Sequence, residues 1–491
     1  MNTASAQVAK PAATVKLLID GQFVESKTTE WQDVVNPATQ EVLARVPFAT
    51  DAEIEAAIAS AKRAYKSWKN TPLAARARIM LKLQALVREH MPRIAKTLSA
   101  EQGKTLPDAE GDVFRGLEVV EHACSIGTLQ LGEFAENVAN GVDTYTIRQP
   151  IGVCVGITPF NFPAMVPLWM LPVAIACGNT FILKPSEKVP LTATRLVELL
   201  AETGLPAGVV SLVHGTAPQV EQLIDHPQVA AVSIVGSTGA ASAVYARAAA
   251  RGKRVQALGG AKNHMVVMPD ADLDAVVESV MSSAFGSTGQ RCMAGSVAVA
   301  VDPIGDEFVA RLRARAGAMQ IGPGDQAGVE MGPLINAAQR DRVLSYLQAG
   351  VEERAELVLD GRQRSVPHDG FFVGASIFDR VNPDMRIARE EIFGPVLSVI
   401  RAKSLADAVA VVNHSAMGNG ASIFTRSGAA ARQFTSDVEA GMVGVNIGVP
   451  VPMAFFSFSG WKGSFFGDLH VHGKDGVRFY TEVKVVTSRF V

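Results

Sequence analysis

From Ile151 onward the chain alternates short β-branched runs with amphipathic stretches, and this alternation constrains its fold more than any other feature. Ile151–Ile157 (IGVCVGI) and Phe181–Leu183 read as strands, the second running into Lys184-Pro185. A helix over Leu191–Thr203 stops at Gly204, a residue that ends helices because it adopts the left-handed conformation without cost. Strand Val209–Val213, helix Ala217–Ile224, strand Val229–Val235, helix Ala240–Ala250 and strand Arg254–Leu258 follow. Strands separated by helices build a parallel sheet covered on both faces.

After Gly259-Gly260 the alternation resumes. Strand His264–Met268, helix Leu273–Phe285, strand Ser296–Val301 and helix Asp306–Met319 lead through a Gly/Pro-rich link to a helix over Ala337–Ala355. Further strands are expected at Phe371–Phe378, Val396–Arg401, Ser422–Phe424 and Gly441–Val445. The boundary between the two α/β units falls near Leu258–Gly260. Upstream of Pro150 the pattern is mostly helical, over Asp51–Lys69, Leu73–Glu101 and Asp108–Leu131. Val477–Val486 (VRFYTEVKVV) alternates like an edge strand, which needs pairing or cover, and a second subunit is the natural source of it.

Size and charge narrow the function classes. The 491 residues suggest about three structural units at about 150 residues each. The formal charge of −2 offers no electrostatic footprint for nucleic acid or an anionic membrane. The longest apolar stretch, Phe162–Cys177, holds three prolines and is shorter than the ~20 residues that span a bilayer. Cys124, Cys154, Cys177 and Cys292 form no C-x-x-C pair, which excludes a zinc ribbon and fits a reducing, cytoplasmic setting; no metal site is expected. Met1–Thr14 has no long apolar run and reads as a flexible lead.

Four short runs could carry chemistry. Val235-Gly236-Ser237-Thr238-Gly239 closes a strand and opens a helix, where free N–H groups suit a phosphate, although a plain turn with a Ser cap has the same composition. Lys184-Pro185-Ser186-Glu187 places a cation and a carboxylate at a strand end, suited to ribose hydroxyls or equally to a surface ion pair. Gly289-Gln290-Arg291-Cys292 sets one thiol in a small-residue turn beside a guanidinium, which is expected to lower its pKa; a lone cysteine is otherwise an inert hydrophobe. Pro159-Phe160-Asn161-Phe162-Pro163 brackets one amide rigidly, as an oxyanion donor requires, and also reads as an Asx-type turn.

Taken together, Pro159–Pro163, Lys184–Glu187, Gly236–Thr238, Leu258–Asn263, Gly289–Cys292 and Glu390–Val396 (EEIFGPV) resemble, in order, the motifs of the aldehyde dehydrogenase superfamily over about Lys16 to Phe490. The resemblance implies an α/β fold with a Rossmann-like NAD domain (15–131 and 150–258), a catalytic α/β domain (259–450) and a β oligomerisation flap (132–149 and 470–491). It makes Cys292 the nucleophile and Asn161, with the Cys292 N–H, the oxyanion donor. Lys184 and Glu187 match the adenosine-ribose contacts, Ser237 the pyrophosphate contact and Glu391 the holder of the nicotinamide ribose. Thr158, Phe160, Lys188 and Gly259 match further cofactor-lining positions, Phe160 standing where many members carry Trp.

One departure bears on the reaction. Hydrolytic members carry Glu-Leu-Gly-Gly, whose Glu activates water, whereas this chain reads Ala257-Leu258-Gly259-Gly260. A thioester on Cys292 then awaits a better nucleophile, and a thiol such as coenzyme A needs little activation. With Ala261-Lys262-Asn263-His264 and the run Phe456–Phe466, this resembles the CoA-acylating methylmalonate-semialdehyde dehydrogenase branch, in which two arginines, matched by Arg115 and Arg291, hold the substrate carboxylate. Taken by itself, Arg115 is a solvated cation on a helix face. The expected protein is a homo-oligomer, dimer or tetramer, that uses NAD and CoA. The rivals are a hydrolytic aldehyde dehydrogenase and a non-catalytic binding member, the latter opposed by the intact Cys292, Asn161 and Glu391.

Overall fold

Two sheets, separated in sequence between Leu258 and Asn263, organise the chain. The computed structural model describes residues 13–367 and 369–489; positions 1–12 of the expected flexible lead and 490–491 of the expected flap lie outside the described residues. The first sheet has eight strands, ordered Phe465–Phe466, Arg254–Leu258, Val229–Val235, Val153–Ile157, Thr180–Lys184, Val210–Leu212, Leu17–Ile19 and Gln22–Val24. Its five central strands are parallel, and the outer ones are antiparallel additions. The second has seven, ordered Glu356–Leu359, Ser376–Asp379, Val396–Ala402, Gly295–Val301, Asn263–Val267, Gly420–Phe424 and Met442–Val445, parallel except for the first. A third, antiparallel sheet pairs Thr481–Arg489 with Val142–Pro150 and that strand with Phe134–Ala139.

Helices α1 (Asp51–Trp68), α2 (Leu73–Gln102), α3 (Leu106–Cys124), α4 (Met165–Ala176), α5 (Pro190–Glu202), α6 (Ala217–Asp225) and α7 (Thr238–Ala249) accompany the first sheet. The 12 residues of α4 are all buried, as expected of a helix that is apolar all round. It packs on α3 at Gly116, where a Cβ would stand 2.7 Å from Leu168 Cδ1. Helix α5 begins against a buried carboxylate: Glu101 of α2 accepts the Leu191 N–H at 2.7 Å and the Thr192 N–H at 2.8 Å. Burial pushes the Glu101 carboxyl up to about 7.

Several elements differ from the sequence expectation. The region upstream of Pro150, expected to be mostly helical, also contributes strands over 13–47, two of them to the edge of the first sheet. Helices Leu405–His414 and Gly428–Asp437 stand between the later strands of the second sheet. The strand expected over Phe371–Phe378 is Ser376–Asp379 only, because the backbone before it bonds to loops: Phe371 N–H donates to Pro37 O and Gly374 N–H to Gly361 O. The C-terminal strand starts at Thr481, since Val477–Phe479 close a short helix whose last carbonyls are taken by Tyr480 N–H and the Thr481 hydroxyl. Among the described residues no helix is long and apolar enough to cross a membrane, and no group of three or more His, Cys, Asp or Glu is placed to hold a metal ion.

Candidate active site

Cys292 sits on the irregular segment between helix α8 (Leu273–Phe285) and strand Gly295–Val301. Ser287 and Thr288 adopt φ of 48° and 58°, a left-handed conformation that costs a non-glycine residue energy and persists only where neighbours enforce it. The enforcement comes from side chains. Asp108 Oδ2 accepts the Ser287 N–H at 2.8 Å and its hydroxyl at 3.2 Å, and Thr288 Oγ1 donates to Gly332 O at 2.9 Å.

Cys292 is half-buried and its thiol is free. Its pKa runs against the expectation that Arg291 lowers it. Burial and the Glu391 carboxylate push it up to about 12, while the Cys292 and Met293 N–H groups and Arg291 pull the other way. Arg291 acts weakly because its guanidinium is already engaged: Nη2 donates to Asp108 Oδ1 at 2.5 Å, Nε to Ser287 Oγ at 3.3 Å and Nη1 to Ser282 O at 3.1 Å.

Asn161 reaches the Cys292 segment from the first sheet. Its Nδ2 donates to Gln290 O at 3.0 Å, which leaves its second amide hydrogen for another acceptor. Its own carbonyl accepts from Lys104 Nζ at 2.7 Å, and Lys104 is paired with Asp112 at 3.0 Å, both side chains fully buried. Asp112 Oδ1 accepts the Met165 N–H, and the Lys104 ammonium lies 4.1 Å from the Phe162 ring centroid. Burial pushes Lys104 down and Asp112 up, and each charge opposes the shift of the other. Neither residue carries a signal in the sequence, since the pair spans 57 residues to reach Asn161.

Arg115 and Arg291 line one cavity of about 250 Å³ together with Cys292, Phe162, Met293 and Phe458. Arg115 Nη1 donates to Glu118 at 2.9 Å and remains partly open to solvent. Asp108, on the first turn of α3, ties the segment bearing Arg291 to the helix bearing Arg115.

The remaining predicted residues gather where strands of the first sheet end. Thr158 N–H donates to Lys184 O at 3.1 Å, and its buried hydroxyl has no partner. Lys184 Nζ stands 3.7 Å from Glu187, whose other oxygen takes Lys188 at 2.8 Å. Burial raises the Glu187 carboxyl, but the two lysines outweigh it and hold it below the usual carboxylate range. Phe160 packs edge-on against Phe393 at 5.8 Å, with Lys188 over its ring. Ser237 caps α7, its Oγ accepting from Ala240 N, so its O–H is left to donate. Gly259 N–H donates to Ser464 O. At Gly260 a Cβ would stand 2.4 Å from Glu391 Oε2 and 2.9 Å from Thr238 Oγ1, so only glycine fits between them. Glu391 accepts the Ala261 N–H at 3.0 Å, and burial raises its carboxyl.

Ala257 offers no base. It is fully buried among Ile157, Ile234 and Ala241, whereas its neighbour Leu258 belongs to the cluster against which Cys292 packs. Successive strand residues face opposite sides of a sheet, so the two divide between those clusters.

The description "Aldehyde dehydrogenase family" matches residues 23–486. The chain is 51% identical over 477 residues to "Methylmalonate-semialdehyde dehydrogenase [acylating], mitochondrial" of Arabidopsis thaliana, covering 96% of this chain and 78% of that one. It is 51% identical over 480 residues to the malonate-semialdehyde dehydrogenase of Pseudomonas aeruginosa, covering 97% and 96%. A Sinorhizobium meliloti protein described as a methylmalonate-semialdehyde dehydrogenase and solved with NAD superposes with a TM-score of 0.96 at 46% identity, over 98% of both chains.

Proposed function

The chain belongs to the aldehyde dehydrogenase family, and on that premise we propose that it oxidises methylmalonate semialdehyde and malonate semialdehyde with NAD, releases CO2, and delivers the acyl group to CoA as propionyl-CoA or acetyl-CoA. The observation that carries this reading is the cavity that sets two guanidinium groups beside Cys292, on a chain whose strand Arg254–Leu258 brings no carboxylate to the thiol. Paired guanidinium groups suit an aldehyde that bears a carboxylate.

The cofactor-side groups fit NAD. Among the described residues the buried hydroxyl of Thr158 has no partner and the O–H of Ser237 at the start of α7 is left to donate, as donors toward a bound dinucleotide would be. Lys184 and Glu187 would hold the adenosine ribose, where a carboxylate accepts from the 2′-OH and repels a 2′-phosphate. Lys188 and Phe160 would line the same cleft, Gly259 would let the backbone approach, and Glu391 would hold the second ribose.

The chain's own residues then act in sequence. The Cys292 thiolate, stabilised by the Cys292 and Met293 N–H groups, adds to the aldehyde carbon. The oxygen becomes an oxyanion, taken by the second Nδ2 hydrogen of Asn161 and the Cys292 N–H. NAD, when bound, supplies the hydride acceptor. What remains on Cys292 is a thioester. Arg115 and Arg291 hold the carboxylate β to it until the C–C bond breaks; CO2 leaves, and the electron pair is delocalised into the thioester carbonyl before a proton takes its place. The CoA thiol then displaces Cys292.

The reading assigns cofactor binding to 15–131 and 150–258, catalysis to 259–450, and subunit contact to 132–149 with 470–491. Phe134, Val483 and Val485 are exposed on that last sheet, and apolar side chains on an open edge call for cover, which supports a homo-oligomer. Four free cysteines support a reducing, cytoplasmic setting.

The test is NADH release from malonate semialdehyde with and without CoA, with acyl products identified. A burst without CoA, sustained turnover with it, and acetyl-CoA as product are expected. Full turnover without CoA, with release of a free acid, replaces this reading with the hydrolytic one.

A further inference from the structure

The backbone carbonyl of Cys292 is held by two side-chain amides from separate parts of the second sheet. Asn263 Nδ2 donates to it at 2.8 Å and Asn419 Nδ2 at 3.1 Å. Asn263 is itself fixed, donating to Ala294 O at 3.0 Å and accepting the Gly420 N–H at 2.9 Å through Oδ1. Asn419 also meets Met293 Sδ at 3.0 Å. Both asparagines are buried, and they stand at the starts of adjacent parallel strands, Asn263–Val267 and Gly420–Phe424.

A planar trans peptide points its C=O and the following N–H in opposite directions. Fixing the Cys292 carbonyl therefore fixes the direction of the Met293 N–H. Among the described residues neither the Cys292 N–H nor the Met293 N–H donates to a backbone carbonyl, so both are available to the sulfur or to an oxyanion. We propose that Asn263 and Asn419 are positioning residues that turn the Cys292–Met293 peptide so that the Met293 N–H meets the nucleophilic sulfur and stabilises its anion.

The charge balance around the thiol shows why such a donor counts. Burial and the Glu391 carboxylate oppose ionisation. Lys262 faces Glu391 from the strand side. Arg291 faces the thiol but is committed to Asp108, and Arg115 and Asp112 lie further round the cavity, paired with Glu118 and with the buried Lys104. The backbone donors are left as the main support for a thiolate, and their aim depends on the carbonyl clamp. This assignment rests on Cys292 being the nucleophile of the proposed reaction.

The experiment needs no substrate, so its failure is separable from failure of the functional reading. The rate of Cys292 alkylation by iodoacetamide is followed against pH in the full-length protein, with the labelled cysteine identified by peptide mass. Asn419→Ala deletes only the two side-chain contacts and leaves the Met442 N–H to Asn419 O bond in place. It should raise the apparent thiol pKa by about one unit and slow alkylation at neutral pH about tenfold, as loss of a hydrogen bond to a charged group does. Asn419→Ser, which keeps a shorter donor, should recover part of the shift. Asn263→Ala should shift the profile in the same direction. A wild-type alkylation profile in folded Asn419→Ala overturns the proposal. Where that variant does not fold, a wild-type profile in Asn419→Ser together with Asn263→Ala does the same.

Discussion

At the first sheet, the groups assigned to the cofactor stand at regular strand ends: Thr158 follows Val153–Ile157, Lys184 ends its own strand, and Ser237 caps the helix after Val229–Val235. At the second, Cys292 rides on a segment with two left-handed non-glycine residues, held by Asp108, Gly332, Asn263 and Asn419. Strand ends need only the ladder to be in register, whereas the thiol's segment needs contacts from four separate places. Changes at the first sheet should therefore weaken binding, and changes around the second should remove chemistry.

Cys292→Ala puts the sharpest test on that division. It should abolish dehydrogenation while NAD affinity, followed by fluorescence titration, stays near wild type, because no cofactor group of the first sheet touches the thiol's contacts. Substantial turnover would mean that another cysteine serves, yet Cys154 and Cys177 are buried, with thiols pushed well up by burial.

Lys104→Met tests a place where the two sides meet. It leaves Asp112 buried without its partner and Asn161 O without its donor. Breaking a buried pair costs about 3–5 kcal/mol, readable by urea denaturation. Because the freed loop carries Asn161, the proposed oxyanion donor, kcat should fall toward the ~10²–10³-fold seen when such a donor is removed. A large stability loss with unchanged kcat would show that Pro159 and Pro163 alone hold Asn161.

The same contrast governs what the sequence discloses. Strands Val229–Val235 and Arg254–Leu258 and helix Leu273–Phe285 are legible to the residue, because β-branched runs and glycines mark their ends. Cys292 and Asn161 stand out in the sequence because each lies in a compact local motif. Asp108, Lys104, Asp112 and Asn419 are not, since each makes its contact to the site's segments across 53 or more residues, and Asn263 reveals its role only through contacts with Cys292 and Gly420. The short strand Phe465–Phe466 leaves no periodicity, yet it closes the first sheet against Arg254–Leu258. The neighbour of Cys292 misleads for a similar reason: adjacency in sequence suggests that Arg291 activates the thiol, while Asp108, distant in sequence, has claimed its charge.

Arg115→Leu acts on substrate capture. Loss of one charge-assisted contact, worth roughly 1.5–3 kcal/mol, should raise KM for malonate semialdehyde about ten- to a hundredfold and leave propanal little changed. Equal effects on both aldehydes would return Arg115 to the role of a helix-face cation paired with Glu118.

Glu101→Gln should change turnover least, and it isolates a device of the first sheet's helices. In the folded chain the carboxyl is raised from 4.5 to about 7 by burial, although the Leu191 and Thr192 N–H groups favour its anion. A group whose folded pKa is raised contributes stability that is present in full below its unfolded pKa and is lost as pH rises through the folded value. The wild-type protein should thus lose stability between pH 4.5 and about 7 through this residue and level off above that. Glutamine cannot ionise, so the variant lacks that slope. The difference in Tm between wild type and variant, measured across this window, should shift by a few degrees in favour of the variant as pH rises, given that about 1 kcal/mol moves Tm by a few degrees in a large domain. Parallel Tm profiles would show that Glu101 keeps its charge throughout and that the two N–H groups at the start of α5 outweigh its burial.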